Sequence, residues 1–388
     1  MIRFIIRRLA SGLMVLFLFQ TAVFFLVQLI LPGDFVSHLA LGLTNEGSAQ
    51  LRRQLGLDLP IWQRYLQWIA NLLKGDLGYS YSFAGRGRSV MAELGEALPP
   101  SILVFGLGTI IAFLLGQWLG RISAWRGSGL LSKSITFSSI TLYTSFPPWL
   151  AFLVIYFVAS RFRLLRPGFN HLLWNDAAVT QSEVMRSMAA ALSLGFLALL
   201  VLNLAYKRRV RRSLPAMAWF LLLIPAWVAS WQFMGIFPFA VDVARAAALP
   251  LFTYVLLSFG EIMLLMRTTM LDVKHEQYVF TARAKGLPDA FVRDRHAAPN
   301  AILPVLSGLV IRLPYFLTGS VMIERSLDWE GMGTSLFFAV GLQDILLVMG
   351  LVLVFGVISL AARLILDILY AVLDPRIRFD SNLSQDYR

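Results

Sequence analysis

Apolar residues in this chain come in runs of about twenty. They follow neither the three-to-four-residue rhythm of a surface helix nor the alternation of a half-buried strand. A helix rising 1.5 Å per residue needs roughly 20 apolar residues to cross a hydrocarbon layer about 30 Å thick. Eight segments meet that measure: 9–31, 101–119, 135–160, 187–206, 214–237, 246–266, 302–323 and 345–370. The pattern predicts an all-α, polytopic membrane protein. The longest polar interval, 32–100, contains LRRQLGLDLPIWQRYLQWIANLLKGDLG, which places Leu66, Ile69, Leu72 and Leu73 at helical spacing and closes on Gly75. Short helices resting on the membrane interface are the expectation there.

The connections differ in charge. Arg3, Arg7 and Arg8 precede the first run, Arg121, Arg126 and Lys133 follow the second, KRRVRR at 207–212 follows the fourth, and Arg283, Lys285, Arg293 and Arg295 follow the sixth. Basic residues stay on the cytoplasmic side of short loops, so alternate basic loops place both termini in the cytoplasm. Arg161, Arg163 and Arg166 fall on the opposite side and break the alternation. The first run exceeds the roughly 7 to 15 residues of a secretory-signal core and ends in LPGD, so it reads as an uncleaved span.

Composition agrees: 58% of residues are hydrophobic and 14% charged, against about 45 to 50% and about 25% in soluble domains. The net charge of +12 would raise nucleic acid in a soluble protein. Here the cations sit beside apolar runs, and no basic stripe is interleaved with stacking aromatics, so no nucleic-acid partner is expected. Cysteine is absent, which excludes disulfides and thiolate metal sites.

Enzyme chemistry finds no foothold. His38, His171, His275 and His296 are dispersed and lack the i, i+4 pairing of a zinc helix. GRGRS at 85–89 lacks the Gly-Lys-Ser/Thr ending of a phosphate loop, and no Gly-x-Ser-x-Gly elbow occurs. No catalytic residue, metal or cofactor is assigned.

One polar stretch carries more information than the others: YVFTARAKGLPDAFVRDRHAAPNAILP at 278–304. The segment from Tyr278 to Lys285 favours helix, Gly286 suits the left-handed residue that ends it, and Pro288 suits the first turn of a second helix. Leu287 and Phe291 then share a face. Two short helices meeting at an angle, with an apolar knob and a basic collar, are expected. The alternative is an ordinary basic loop capping its spans.

This stretch closely resembles the conserved cytoplasmic loop of permease subunits from oligopeptide/dipeptide-type ABC importers, the "EAA" loop that docks on the ATPase. Its Gly falls on Gly286, its second Ala on Ala282 and its first Ala on Thr281, with TARAKGL at 281–287 as the specific core. Phe280 stands where the motif has Glu, and Ala298-Pro299 fills its Leu-Pro slot. Other parts are similar to the same family: RRL at 7–9 with LPGD at 31–34, GLDLPIWQRYLQW at 56–68, KGDLGYS at 74–80, ERSLDWEGMG at 324–333 and AVLDPRIRF at 371–379.

The resemblance implies the transmembrane domain of a type I ABC importer, with about six core spans and an inserted pair. The layout is an N-terminal span (1–31), an external segment (32–100), core spans (101–160), an insertion (161–243) expected at the periphery with Trp219, Trp227 and Trp231 facing lipid or the interface, or else binding an additional subunit, and further core spans (244–388) holding the coupling loop 276–300 and a C-terminal tail. It implies an inner-membrane permease without ATPase activity of its own. Its implied partners are a second permease subunit, ABC ATPase subunits, an external solute-binding protein and membrane lipid. The implied coupling residues are Tyr278, Thr281, Ala282, Arg283, Ala284, Lys285, Gly286, Leu287, Phe291 and His296. Peptides are the implied cargo, with oligosaccharides or metal chelates as the alternative within the class. A stand-alone secondary transporter is the rival class; it calls for internal repeats, which are not apparent.

Arg312, near the middle of ILPVLSGLVIRLPYFLTGSVMI, is the one clear mid-span charge. A mid-membrane charge costs on the order of 2.5 to 3.5 kcal/mol on insertion scales, so it should face a partner or a cavity. Two readings stand: an intramembrane ion pair, with Glu261 as the chief candidate in this chain or an acid on the sister subunit, or a place on the translocation path receiving a carboxylate.

Overall fold

A computed structural model describes residues 2–30, 36, 45–54, 56–80, 87–127, 129–165, 167–175, 177–210 and 216–373; the side chains of 310–320 lie outside that description. The chain opens with α1 (Ile2–Ile30), two short helices, α2 (Asn45–Gln54) and α3 (Ile61–Leu73), and an antiparallel ribbon of β1 (Tyr79–Ser80) and β2 (Arg88–Ser89). As expected, α3 is amphipathic and runs into Gly75, whose φ is +79°. Its inner side holds Trp68 against Phe24, with Tyr65 bonded through its hydroxyl to Thr21 at 2.6 Å. Leu66 and Leu73 face outward.

The long helix α4 (Val90–Trp125) begins before the expected span at 101–119. It passes through Pro99-Pro100 and a π-helical stretch at Ile102–Gly106. Prolines lack the N–H that would close the preceding turn, and a local wide turn is one way a helix absorbs that loss. The longest helix, α10 (Phe237–Lys274), packs along α4, and this pair is the spine of the molecule. Gly116 and Gly120 lie at their seam, against Phe259, Ile262, Met263 and Met266.

The expected span at 135–160 is not one straight helix. It is α5 (Leu130–Tyr143) followed by α6 (Pro147–Arg161), bent by 110°. Pro147 and Pro148 suit a helix start and disfavour helical geometry in the residue before them, so the chain breaks at Phe146. After a single turn, α7 (His171–Trp174), come α8 (Gln181–Val210) and α9 (Ala216–Phe233). The lipid-facing expectation fails at Trp231, which is buried with Val184, Met185 and Met188 beside Leu103, Phe105 and Val243. Trp227 donates through Nε1 to the Met188 carbonyl at 2.8 Å. One end of α8 is therefore core, while Leu194, Leu197 and Val201 are exposed. The side chain of Trp219 lies outside the described residues.

Next, α11 (Gln277–Ala284) leads through 285–297 into α12 (Ala298–Leu327), which is followed by α13 (Met332–Gly341) and α14 (Ile345–Leu373). Among the described residues, five helices are long and apolar enough to cross a membrane, or six if the bent pair counts as one span. The expected span at 214–237 lies in α9, whose described side chains form an apolar helix at Leu221–Phe233, and the expected span at 302–323 lies in α12.

Candidate functional site

The most concentrated set of sequence-picked residues falls on an elbow at one end of the α4–α10 spine. His275 and Glu276 turn the chain out of α10, α11 runs two turns, and Gly286 reverses it at φ +74°. A residue with a Cβ is strained there, although nothing lies within 4 Å of the position an added Cβ would take. The Gly286 N–H closes the helix end on the Arg283 carbonyl at 2.9 Å. Pro288 then sets up Asp289–Phe291, a π-helical turn at Val292–Ala297 and the start of α12.

The elbow has two distinct sides. Val279 and Ala282 of α11 and Val292, Ala297 and Ala298 beyond the turn are buried against Ala124, Met266 and Met270, with Leu287 partly buried beside them. On the outer side, Tyr278, Thr281, Arg283, Ala284, Lys285, Gly286 and Phe291 are exposed. Thus Ala282 and Leu287 hold the elbow to the body, while most of the other expected coupling residues face away. His296 is half-buried, edge-on to Phe291 at 5.7 Å between ring centres. Phe280, which the sequence motif gave no reason to include, is 75% exposed and is the most prominent apolar group on this side.

Electrostatic ties fix the elbow to the spine. Arg283 stacks over the Trp125 ring at 4.8 Å and pairs with Asp289 at 3.3 Å. Lys274 donates through Nζ to the Trp125 carbonyl at 3.3 Å. Asp294 accepts two bonds from Arg293, at 2.9 and 2.6 Å, and lies 3.8 Å from Arg121 on α4. The Arg293 hydrogen bonds hold the Asp294 carboxyl below its ordinary range, with the nearby guanidinium charges adding to them. The basic collar is therefore partly neutralised internally: among the described residues, Lys285 and Arg295 are its members without an ion pair.

The far end of α12 is stapled differently. Glu324 is fully buried, accepting from Ser101 Oγ at 3.0 Å and from the Thr334 N–H at 2.6 Å. Ser101 Oγ in turn accepts from the Met332 N–H at 2.9 Å. The carboxylate thus sits on the N-terminus of α13, where free N–H groups and the helix dipole favour negative charge. Trp329 completes the cap by donating through Nε1 to the Pro100 carbonyl at 3.3 Å. The sequence marked Glu324 only as the first residue of the family-like stretch 324–333 and gave no signal for its bonding, because its partners lie on other helices.

The side chain of Arg312 lies outside the described residues, so neither reading of it is tested. Among the described residues no group of three or more His, Cys, Asp or Glu is placed to hold a metal ion.

Two family models match the chain. One, described as the binding-protein-dependent transport system inner membrane component, covers residues 187–379. The other, the N-terminal part of such membrane components, covers 1–89. The first match starts inside the stretch 161–243 that was expected to be an insertion. Among relatives, the dipeptide transport system permease protein of Escherichia coli K12 is 28% identical over 384 residues, spanning 97% of this chain and 99% of its own. The corresponding protein of Lactococcus lactis is 26% identical over 378 residues, 97% of this chain and all of its own. The glutathione transport system permease protein of an Escherichia coli O6:H1 strain is 27% identical over 386 residues, 98% of this chain and all of its own.

Proposed function

From the premise that this chain belongs to the binding-protein-dependent transport system inner membrane components, and is a multi-pass permease subunit of an ABC importer, we propose that it is one half of a peptide path driven by ATPase subunits seated on the elbow at 277–297. The names of its relatives, which specify dipeptide and glutathione transport, support peptide cargo. The observation that carries the reading is the two-sidedness of the elbow. Val279, Ala282 and Val292 anchor it, while Phe280, Tyr278 and Phe291 present apolar surface away from the body.

A permease without an ATPase site must receive work mechanically. Rigid helices tied to α4, α10 and α12 transmit displacement better than a loose loop, since coupling requires an element with discrete arrangements. Lys285 and Arg295 add long-range attraction to an acidic rim on the ATPase. The remaining partners in this reading are a second permease subunit, forming a heterodimer, and an external solute-binding protein. The chain sits in the inner membrane, with the elbow and both termini on the cytoplasmic side, as the alternation of basic loops supports. Within the path, Arg312 receives the carboxylate of the peptide, for which a planar guanidinium is well shaped.

The test is uptake into vesicles holding the chain with its ATPase, sister permease and binding protein. Arg312→Gln is expected to lower uptake of a peptide with a free C-terminus about tenfold and to spare the amidated peptide. An equal loss for both, with melting restored by Glu261→Gln, would make Arg312 an ion-pair partner instead.

A further inference from the structure

The break between α5 and α6 leaves backbone at 144–146 outside regular helix, within a helix pair that is long and apolar enough to cross a membrane only when taken together. Non-helical backbone at membrane depth persists only where protein covers it or water reaches it. Three further features converge there. Gly260 of α10 comes so close to the Ser139 carbonyl of α5 that no side chain fits between them. That approach sets the next residue, Glu261, under Tyr143, whose hydroxyl donates to Glu261 Oε1 at 3.1 Å. Ser134, Ser138 and Thr141 recur at i, i+4 and i+7 along α5, all exposed, and Ser145, half-buried, follows in the break. Beyond the carboxylate, Ser258, Gly308 and Leu309 line a cleft of about 10 Å³ between α10 and α12, close to the size of one water.

Glu261 lies thirteen residues before Lys274 in one continuous helix, about 20 Å along its axis. That places Glu261 within the apolar run 246–266 of α10, away from the helix end that carries the elbow. A carboxylate there marks a substrate pathway more often than a lipid contact. Pure lipid exposure is a poor fit for a hydroxyl stripe beside it.

We propose that the α5–α6 break, the hydroxyl stripe and the Tyr143–Glu261 pair line the water-filled path of the importer, and that Glu261 receives the protonated amino group of the peptide as it passes. The second half rests on the peptide reading above; the first half does not. Tyr143 is the positioning residue, holding the carboxylate toward the break.

Two measurements separate these parts. Because cysteine is absent, Thr141→Cys can be labelled by a small hydrophilic thiol reagent without background in the assembled transporter. It is expected to react at least tenfold faster than Leu18→Cys, since thiolates form only where water hydrates them. Equal, slow rates would mean that lipid or a tightly packed sister subunit covers the face, and would overturn the path. In uptake assays, Glu261→Gln is expected to slow a free-amino peptide about tenfold and leave its N-acetylated counterpart unchanged. Tyr143→Phe should reproduce a milder version of that discrimination, a change that general loss of packing would not produce. Equal slowing of both peptides would remove the amino-group role. Fast labelling in a transporter that carries neither peptide would refute the peptide reading and the amino-group role while upholding the wet path.

Discussion

The two ends of α12 are fastened in opposite ways. At the end beginning with Ala298, the elbow is held by a thin layer of small apolar side chains, with exposed ion pairs and an open-sided glycine turn. At the end finishing with Leu327, Glu324 is fully buried and bonded to Ser101 and Thr334. Surface ion pairs contribute roughly 0 to 1 kcal/mol each, whereas a buried carboxylate stripped of its donors costs several. The difference is the one expected if, as proposed, a partner covers and displaces the first end while the second holds the helix ends in fixed register. About 45 Å of helix lies between them.

The largest effect that would break this contrast is expected at the buried cap. Glu324→Ala should destabilise the chain by about 3 kcal/mol, since two donors lose a charged acceptor. A fluorescence-detected melt of the purified chain would read it, and a change under about 0.5 kcal/mol would show that the cap is not a lock. Next comes Gly286→Val, which incurs roughly 1 to 2 kcal/mol of left-handed strain with open space around the side chain. It should assemble in the membrane and lose substrate-stimulated ATP hydrolysis by the partner subunits; normal stimulation would detach the elbow from coupling. The smallest effect is at Asp294, whose folded carboxyl titrates below the ordinary value of 3.8. Its stabilising contribution is present at neutral pH, holds as pH falls to about 4, and disappears as pH drops through the lower folded value. Because the side chain is 46% exposed, Asp294→Asn should cost well under about 1 kcal/mol at pH 7. The gap between the melts of the two proteins should narrow as pH falls below about 4.

Much of this was legible in the sequence, for local reasons. The elbow follows from Gly286 and Pro288, each acting on its own backbone, and α3 from a helical apolar spacing that ends at Gly75. Local signals were also the ones misapplied at 135–160, where Pro147-Pro148 forbids the continuous helix that average hydropathy favours. Hydropathy is blind to direction, so Trp231 read as lipid-facing although α8 and α10 enclose it. Motif matching placed Ala282 and Leu287 among docking residues because they belong to the recurring pattern. The structure packs both against the body, and Phe280, a departure from the pattern, holds the exposed position. The bonding of Glu324 was illegible because Ser101 and Thr334 reach it only after α4, α12 and α13 have packed.

The central claim is that the outer side of the elbow is where an ATPase subunit sits. The most direct measurement places a single cysteine at Phe280 in the cysteine-free chain and asks whether a short thiol-reactive photo-cross-linker joins it to a co-expressed ATPase subunit in the intact transporter. The account predicts an adduct at Phe280 and none at Phe252, which is exposed on α10 away from the elbow. An intact, transport-competent complex without an adduct at Phe280 would contradict it.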